Sequence, residues 1–205
     1  MIRLGLIRHA RTPWNLEKRI QGSSDIPLSP EGKEEAVRWG EILKPEPFDL
    51  ILSSPLIRAG ETALILSDKM GIPVFREPDL REQDFGDWEG RKINDIRKSD
   101  PGAVEFQESR GWGFRPPGGE SRTGVLERVK TAFERAAKIY ENQYILVVTH
   151  QSVIKTVIYD ALKRTFGPGE LPILKDYCLH DLTWEGNIRI QRINRLRLTP
   201  GDGIS

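Results

Sequence analysis

Three short apolar runs, each cut off by polar residues, constrain this chain more than anything else in it. Residues 4–7 (LGLI) stop at Arg8 and His9, residues 50–52 (LIL) at Ser53-Ser54-Pro55, and residues 144–148 (YILVV) at Thr149 and His150. Runs this short and free of charge suit strands buried on both faces, as in the middle of a parallel sheet. Parallel strands need crossover helices, and helical periodicity follows the second and third runs. Ser54 is placed to cap a helix with Pro55 at its first position, and Leu56, Ala59, Ala63 and Leu66 then form a stripe. After His150, the residues Val153, Ile154, Val157, Ile158, Ala161 and Leu162 do the same.

Ser29-Pro30 opens another helix, which runs to about residue 44 and stops before Pro45. Ser121 opens a long one, with Val125, Leu126, Val129, Ala132, Phe133, Ala136 and Tyr140 facing inward. A short strand is expected around residues 73–76, and residues 178–194 read as a hairpin turning at Glu185-Gly186-Asn187. Together these predict a three-layer α/β/α fold with a mostly parallel central sheet, forming a single domain over residues 1–205. Residues 84–120 break the pattern: they are rich in Gly, Pro, Trp and charge, with one short helix near 93–97. Five aromatics there, Phe85, Trp88, Phe106, Trp112 and Phe114, argue for order, so the stretch is expected to be an irregular lid over a site.

Lys plus Arg total 31 against 30 Asp plus Glu, so charge gives no argument for a nucleic-acid or membrane partner. The lone Cys178 excludes an internal disulfide framework and a cysteine-based metal site. No apolar run is long enough to anchor the chain, and the expected location is the cytoplasm.

In open parallel sheets, ligands bind beyond the carboxyl ends of the strands. His9 and His150 fall at that edge, and Arg58 in the first turn of the helix behind it. A cation there opposes the helix dipole unless an anion is bound beside it. Each residue alone has an ordinary structural explanation: a satisfied turn histidine, a solvated arginine or one paired with Glu61. Lys155 is read as structural. Jointly, Arg8, Arg58 and a helix N-terminus describe a phosphate-sized site. A neutral imidazole is a competent nucleophile toward phosphorus, cationic neighbours neutralise the equatorial oxygens, and the leaving alkoxide needs an acid. Glu82, Asp84, Asp87 and Glu89 are the candidates, and spacing alone does not choose among them.

Six segments in order resemble the histidine phosphatases, also called the phosphoglycerate-mutase-like family: LIRHARTPWN, RIQGSSDIPLSPEG, SSPLIRAGETA, LREQDFGDWEG, PPGGES and VVTHQSVIK. The resemblance implies that His9 is the nucleophile and becomes a phosphohistidine. It implies that Arg8, Arg58 and His150 hold the phosphoryl oxygens and that Glu82 is the general acid and then the base. Asn15, Gln21 and Gly22 would complete the phosphate pocket, with no metal or other cofactor. Two positions depart from the family pattern, Ala10 and Gln151, where glycine is usual. A positive φ at Gln151 would be strained; alternatively its amide reaches the phosphate or the leaving group.

The short insertion resembles the phosphatase branch. The expected function is hydrolysis of a small phosphorylated metabolite, the alternatives being a phosphoglycerate mutase or a non-catalytic phospho-ligand-binding domain. Lid side chains (Trp88, Arg91, Arg110, Trp112, Phe114, Arg115) are candidates for substrate contact, their arginines favouring a broad or carboxylate-bearing substrate.

Overall fold

The computed structural model describes residues 1–167 and 169–199. Six strands, β1 (Ile2–Arg8), β2 (Leu50–Ser53), β3 (Val74–Arg76), β4 (Tyr144–Thr149), β5 (Cys178–Trp184) and β6 (Ile188–Arg197), form one sheet in the order β3-β2-β4-β1-β5-β6. The three apolar runs are its adjacent strands β2, β4 and β1, all parallel, as their lack of charge implied. β3 joins β2 in parallel; β5 returns antiparallel beside β1, and β6 completes the expected hairpin.

The described residues also form helices α1 (Pro13–Glu17), α2 (Pro30–Leu43), α3 (Ile57–Met70), α4 (Ile93–Ser99), α5 (Ala103–Ser109), α6 (Arg122–Ile139) and α7 (Gln151–Ala161). Strand alternation splits the core in two. Leu4, Leu6, Leu50, Leu52, Ile145 and Val147 share one cluster with the apolar stripes of α6 and α7. Ile7, Ile51, Leu146 and Val148 point the other way, into α2 and α3, where Trp39, Leu43, Ala59, Ala63 and Leu66 meet them. A helix layer on each sheet face is the expected three-layer arrangement. It leaves the carboxyl ends of β1, β2 and β4 side by side at one edge.

Two local expectations change. α3 starts at Ile57 with Leu56 at its cap, not at Pro55 with Ser54. The Ser54 hydroxyl accepts from the Leu56 N–H and is turned to His150, which removes it from capping duty. The lid is also less irregular than its composition suggests. It contains α4, α5 and two single 3₁₀ turns, Gly86–Trp88 and Gly111–Gly113. Ile96 of α4 and Val104 of α5 bury themselves against Trp88 and Phe114, a small core separate from the two on the sheet.

Candidate active site

β1 ends in Arg8, and the next residue, His9, is 2 % exposed. Its Nδ1 lies 2.7 Å from the Ala10 carbonyl. A carbonyl only accepts, so Nδ1 carries the proton and Nε2 keeps its lone pair. Burial, then the charges of Arg8 and Arg58, hold the imidazole pKa well below its ordinary 6.5, outweighing the opposing pull of the Ala10 carbonyl. His9 is therefore a neutral base of fixed tautomer at the wall of a cavity of about 160 Å³.

Arg58, fully buried in the first turn of α3, donates to the carbonyls of Gly22 (2.7 Å) and Ser24 (2.8 Å). Burial lowers it to about 10, so it stays charged at neutral pH. Its Nε and that of Arg8 are buried without a partner. Two guanidinium groups with unspent donors beside a neutral imidazole form an electropositive pocket. Part of the expected anion site is already occupied from within: Asp25 accepts the Ile57 N–H at the start of α3.

His150 is completely buried, its ring centroid 5.2 Å from that of His9, and stands behind the cavity wall. Its Nε2 is 2.7 Å from Ser54 Oγ, while Nδ1 has no partner. In the tautomer in which the Ser54 hydroxyl donates to Nε2, Nδ1–H is the unspent donor. Burial and Arg58 keep this ring neutral too.

Of the four candidate acids, only Glu82 borders the phosphate-sized cavity. Its carboxyl accepts from the Gln83 N–H (2.9 Å) and, at 3.4 Å, from the Ser152 N–H in the first turn of α7. Arg128 of α6 grips the segment before it, donating to the carbonyls of Asp79, Arg81 and Glu82 while forking onto Glu120. Glu89 has another task. Its two oxygens accept from the backbone and hydroxyls of Ser23 and Ser24 and from the Phe85 N–H. Burial alone would raise its pKa, but these bonds outweigh it and hold the carboxylate ionised. Gly22 sits under this clamp at φ +54, and a Cβ there would fall on the Glu89 carboxylate.

The histidine phosphatase superfamily (branch 1) family model matches residues 4–195. The chain belongs to this superfamily. It is 35 % identical over 167 residues to phosphoserine phosphatase 1 of Hydrogenobacter thermophilus, covering 79 % of this chain and 76 % of that protein. It is 37 % identical over 155 residues to phosphoglycerate mutase-like protein 4 of Arabidopsis thaliana, covering 74 % and 67 %. The solved structure of a mycobacterial glucosyl-3-phosphoglycerate phosphatase complexed with VO3 superimposes with a TM-score of 0.83 at 28 % identity, over 94 % of this chain and 98 % of that one.

In this histidine phosphatase, Arg8, His9, Asn15, Gln21, Gly22, Arg58 and Glu82 border one cavity, and His150, expected beside them, does not line it. Asn15 also closes a capping box with Thr12 at the start of α1, which fixes the chain just after His9. Gln21 is buried with its Oε1 unpartnered. Gln151 is elsewhere. It is the first residue of α7 and is not among the positive-φ residues, so a side chain costs nothing there. It lines a second cavity, of about 250 Å³, which shares Ile20, Phe85 and Ser152 with the first.

Trp88 and Phe114 of the lid also face this second cavity; Arg91, Arg110, Trp112 and Arg115 do not. Arg91 bonds Ser99, Arg110 lies beside the Phe106 ring, Arg115 bonds the Gly119 carbonyl, and Trp112 donates to the Arg164 carbonyl. The cations in that wall are Arg122 and Lys155 instead. Ser54, Ser152, Arg122 and Lys155 thus escaped sequence reasoning. Lys155 carried a signal: it is three residues after Ser152 on the helix that begins at the site.

Among the described residues, no group of three His, Cys, Asp or Glu side chains is placed to hold a metal ion, and no helix is long and apolar enough to cross a membrane.

Proposed function

We propose that this histidine phosphatase is a metal-independent phosphomonoesterase that hydrolyses a small phosphorylated metabolite through a phosphohistidine at His9. The observation that carries this proposal is the His9 tautomer: with Nδ1–H spent on the Ala10 carbonyl, Nε2 is the one ring atom with a lone pair to offer. Arg8 and Arg58, with their unspent Nε–H donors, supply the positive charge that would otherwise come from a metal.

The substrate phosphoryl group lies among Arg8, Arg58, Asn15, Gln21 and Gly22, with His150 beside His9 behind the wall of the pocket. His9 Nε2 forms a bond to phosphorus as the P–O bond to the alcohol breaks. The electron pair leaves with the alkoxide, which takes the proton of the Glu82 carboxyl group. The alcohol departs. The Glu82 carboxylate then removes a proton from water as its oxygen attacks phosphorus; the N–P bond breaks, its electrons return to Nε2, and inorganic phosphate is released. Glu82 ends protonated, ready for another cycle. The arginines serve both halves alike, since the three equatorial oxygens carry the charge in each.

Among similar proteins, one is named for phosphoserine and another for glucosyl-3-phosphoglycerate, both small phosphorylated metabolites. Rapid-quench labelling tests the proposal. A ³²P-labelled substrate is expected to give an acid-labile, alkali-stable phosphoprotein that forms and decays within the turnover time and is missing in His9→Ala. Turnover with no such species, or full activity in His9→Ala, would rule out the mechanism. Hydrolysis that is slow unless 2,3-bisphosphoglycerate is supplied would mark a mutase instead.

A further inference from the structure

The second cavity holds two cations that the reaction at His9 does not use. Arg122, at the start of α6, gives one N–H to the Gly111 carbonyl. Its guanidinium carbon lies 4.1 Å from the Phe114 ring centroid and 4.3 Å from that of Phe166. Lys155 Nζ is 5.2 Å from the ring centroids of both Tyr159 and Phe166. Among the described residues, neither cation makes an ion pair. Burial lowers Arg122 to about 10 and, with the charge of Arg122 added, lowers Lys155 as well. Two half-buried cations this close are unfavourable without an anion between them.

The local charge count fixes what kind of anion fits. Glu108 borders the same space, and Glu170 is already committed to Arg164 and to the Thr165 and Phe166 amides. Arg122 and Lys155 against Glu108 leave one positive charge. That suits a monoanion; a second phosphate would bring about two negative charges. The ring shared by both cations is also held at a conformational cost, because Phe166 is a non-glycine residue at φ +61.

Position completes the argument. The second cavity meets the phosphate cavity at Ile20, Phe85 and Ser152 and continues into an opening of about 190 Å³ bordered by both cations. From Ser152 to Lys155 is three residues of α7, about 4.5 Å along its axis. The wall of this cavity has an apolar part, formed by Phe85, Trp88, Ile93 and Phe114, and a polar part, formed by Gln83, Gln151, Ser152 and Thr156.

We propose that Arg122 and Lys155 form a subsite for a single carboxylate on the alcohol part of the substrate, with an apolar body spanning the aromatic wall. The preferred substrates are then phosphomonoesters of hydroxy acids with an apolar or aromatic carbon body. This assignment rests on the phosphomonoesterase reading above.

The test compares 4-carboxyphenyl phosphate with its neutral carboxamide analogue, and the pair one methylene longer, by the ratio of kcat/KM values within each variant. The native enzyme is expected to favour the carboxylate in at least one pair by about tenfold or more, mainly through KM. Lys155→Met is expected to bring that ratio near one, and Lys155→Arg to restore it. Thermal unfolding confirms that the variants are folded. Equal rates within both pairs, or a preference that survives Lys155→Met, would overturn the subsite while leaving the hydrolase intact. A stronger preference for 1,4-phenylene bisphosphate would overturn its monoanion character. Failure of the native enzyme to cleave any of these esters, together with no phosphohistidine, would instead remove the underlying reaction.

Discussion

At the scale of single residues, the site works by committing one atom of each group so that another is left for the substrate. The Ala10 carbonyl accepts from the Nδ1–H of His9, the Ser54 hydroxyl pairs with Nε2 of His150, and two loop carbonyls accept from the terminal nitrogens of Arg58. Replacing His9 by Ala is expected to cut turnover by more than about a thousandfold, as measured on p-nitrophenyl phosphate. Ser54→Ala frees the His150 ring without touching the nucleophile, and a fall in kcat/KM of about tenfold is expected. Glu82→Gln separates the two half-reactions. Nitrophenolate leaves without a proton, so stopped-flow should show a burst followed by a steady state slowed about a hundredfold or more. Protonation sets the acid limb. Only neutral His9 attacks, and burial beside two arginines holds its pKa well below 6.5. The acid limb of the kcat/KM profile should therefore lie below pH 6.5, and a limb centred at or above 6.5 would contradict the assignment.

Elements matter because the site is assembled across chain segments far apart in sequence. The Glu89 clamp joins the lid to the 22–24 loop, whose carbonyls in turn hold Arg58. Gly22→Ala forces a left-handed φ on a residue with a Cβ and pushes that carbon into the clamp. A loss of about 1–3 kcal/mol in urea unfolding is expected, along with weaker inhibition by inorganic phosphate. Such ties also explain what could be read in advance. The three strands at the catalytic edge were legible because buried parallel strands leave a plain apolar signature, and Ser29 and Ser121 cap their helices as their positions suggested. Ser54 has the same composition around it, yet tertiary contact with His150 outcompeted capping. Choosing Glu82 over Glu89 needed the fold or the family resemblance, since both occupy the same acidic turn. The lid's two helices were obscured by Gly, Pro and charge; burial of Ile96 and Val104 against aromatics overrides those weak propensities.

For the whole molecule, all three histidines are buried and resist protonation, and this couples stability to pH. His180, on β5, is pushed down to about 4 by burial, and its Nδ1 accepts the Asn194 N–H, a bond the protonated ring loses. A group whose native pKa lies below its unfolded value of 6.5 favours unfolding once pH falls beneath 6.5, because the unfolded chain then binds more protons. From His180 alone, stability is expected to decline by about 2 kcal/mol between pH 7 and pH 5. His9 and His150 shift the same way and add to the decline. Urea midpoints at the two pH values check it; a midpoint unchanged or higher at pH 5 would contradict the assignment. A second global property follows from the three separate apolar clusters. Because Trp88, Ile96, Val104 and Phe114 pack on one another, that wall of the second cavity is insulated from the sheet that carries His9. Under the proposed reaction, substitutions in that wall would change which alcohols are accepted and leave the packing beneath His9 undisturbed.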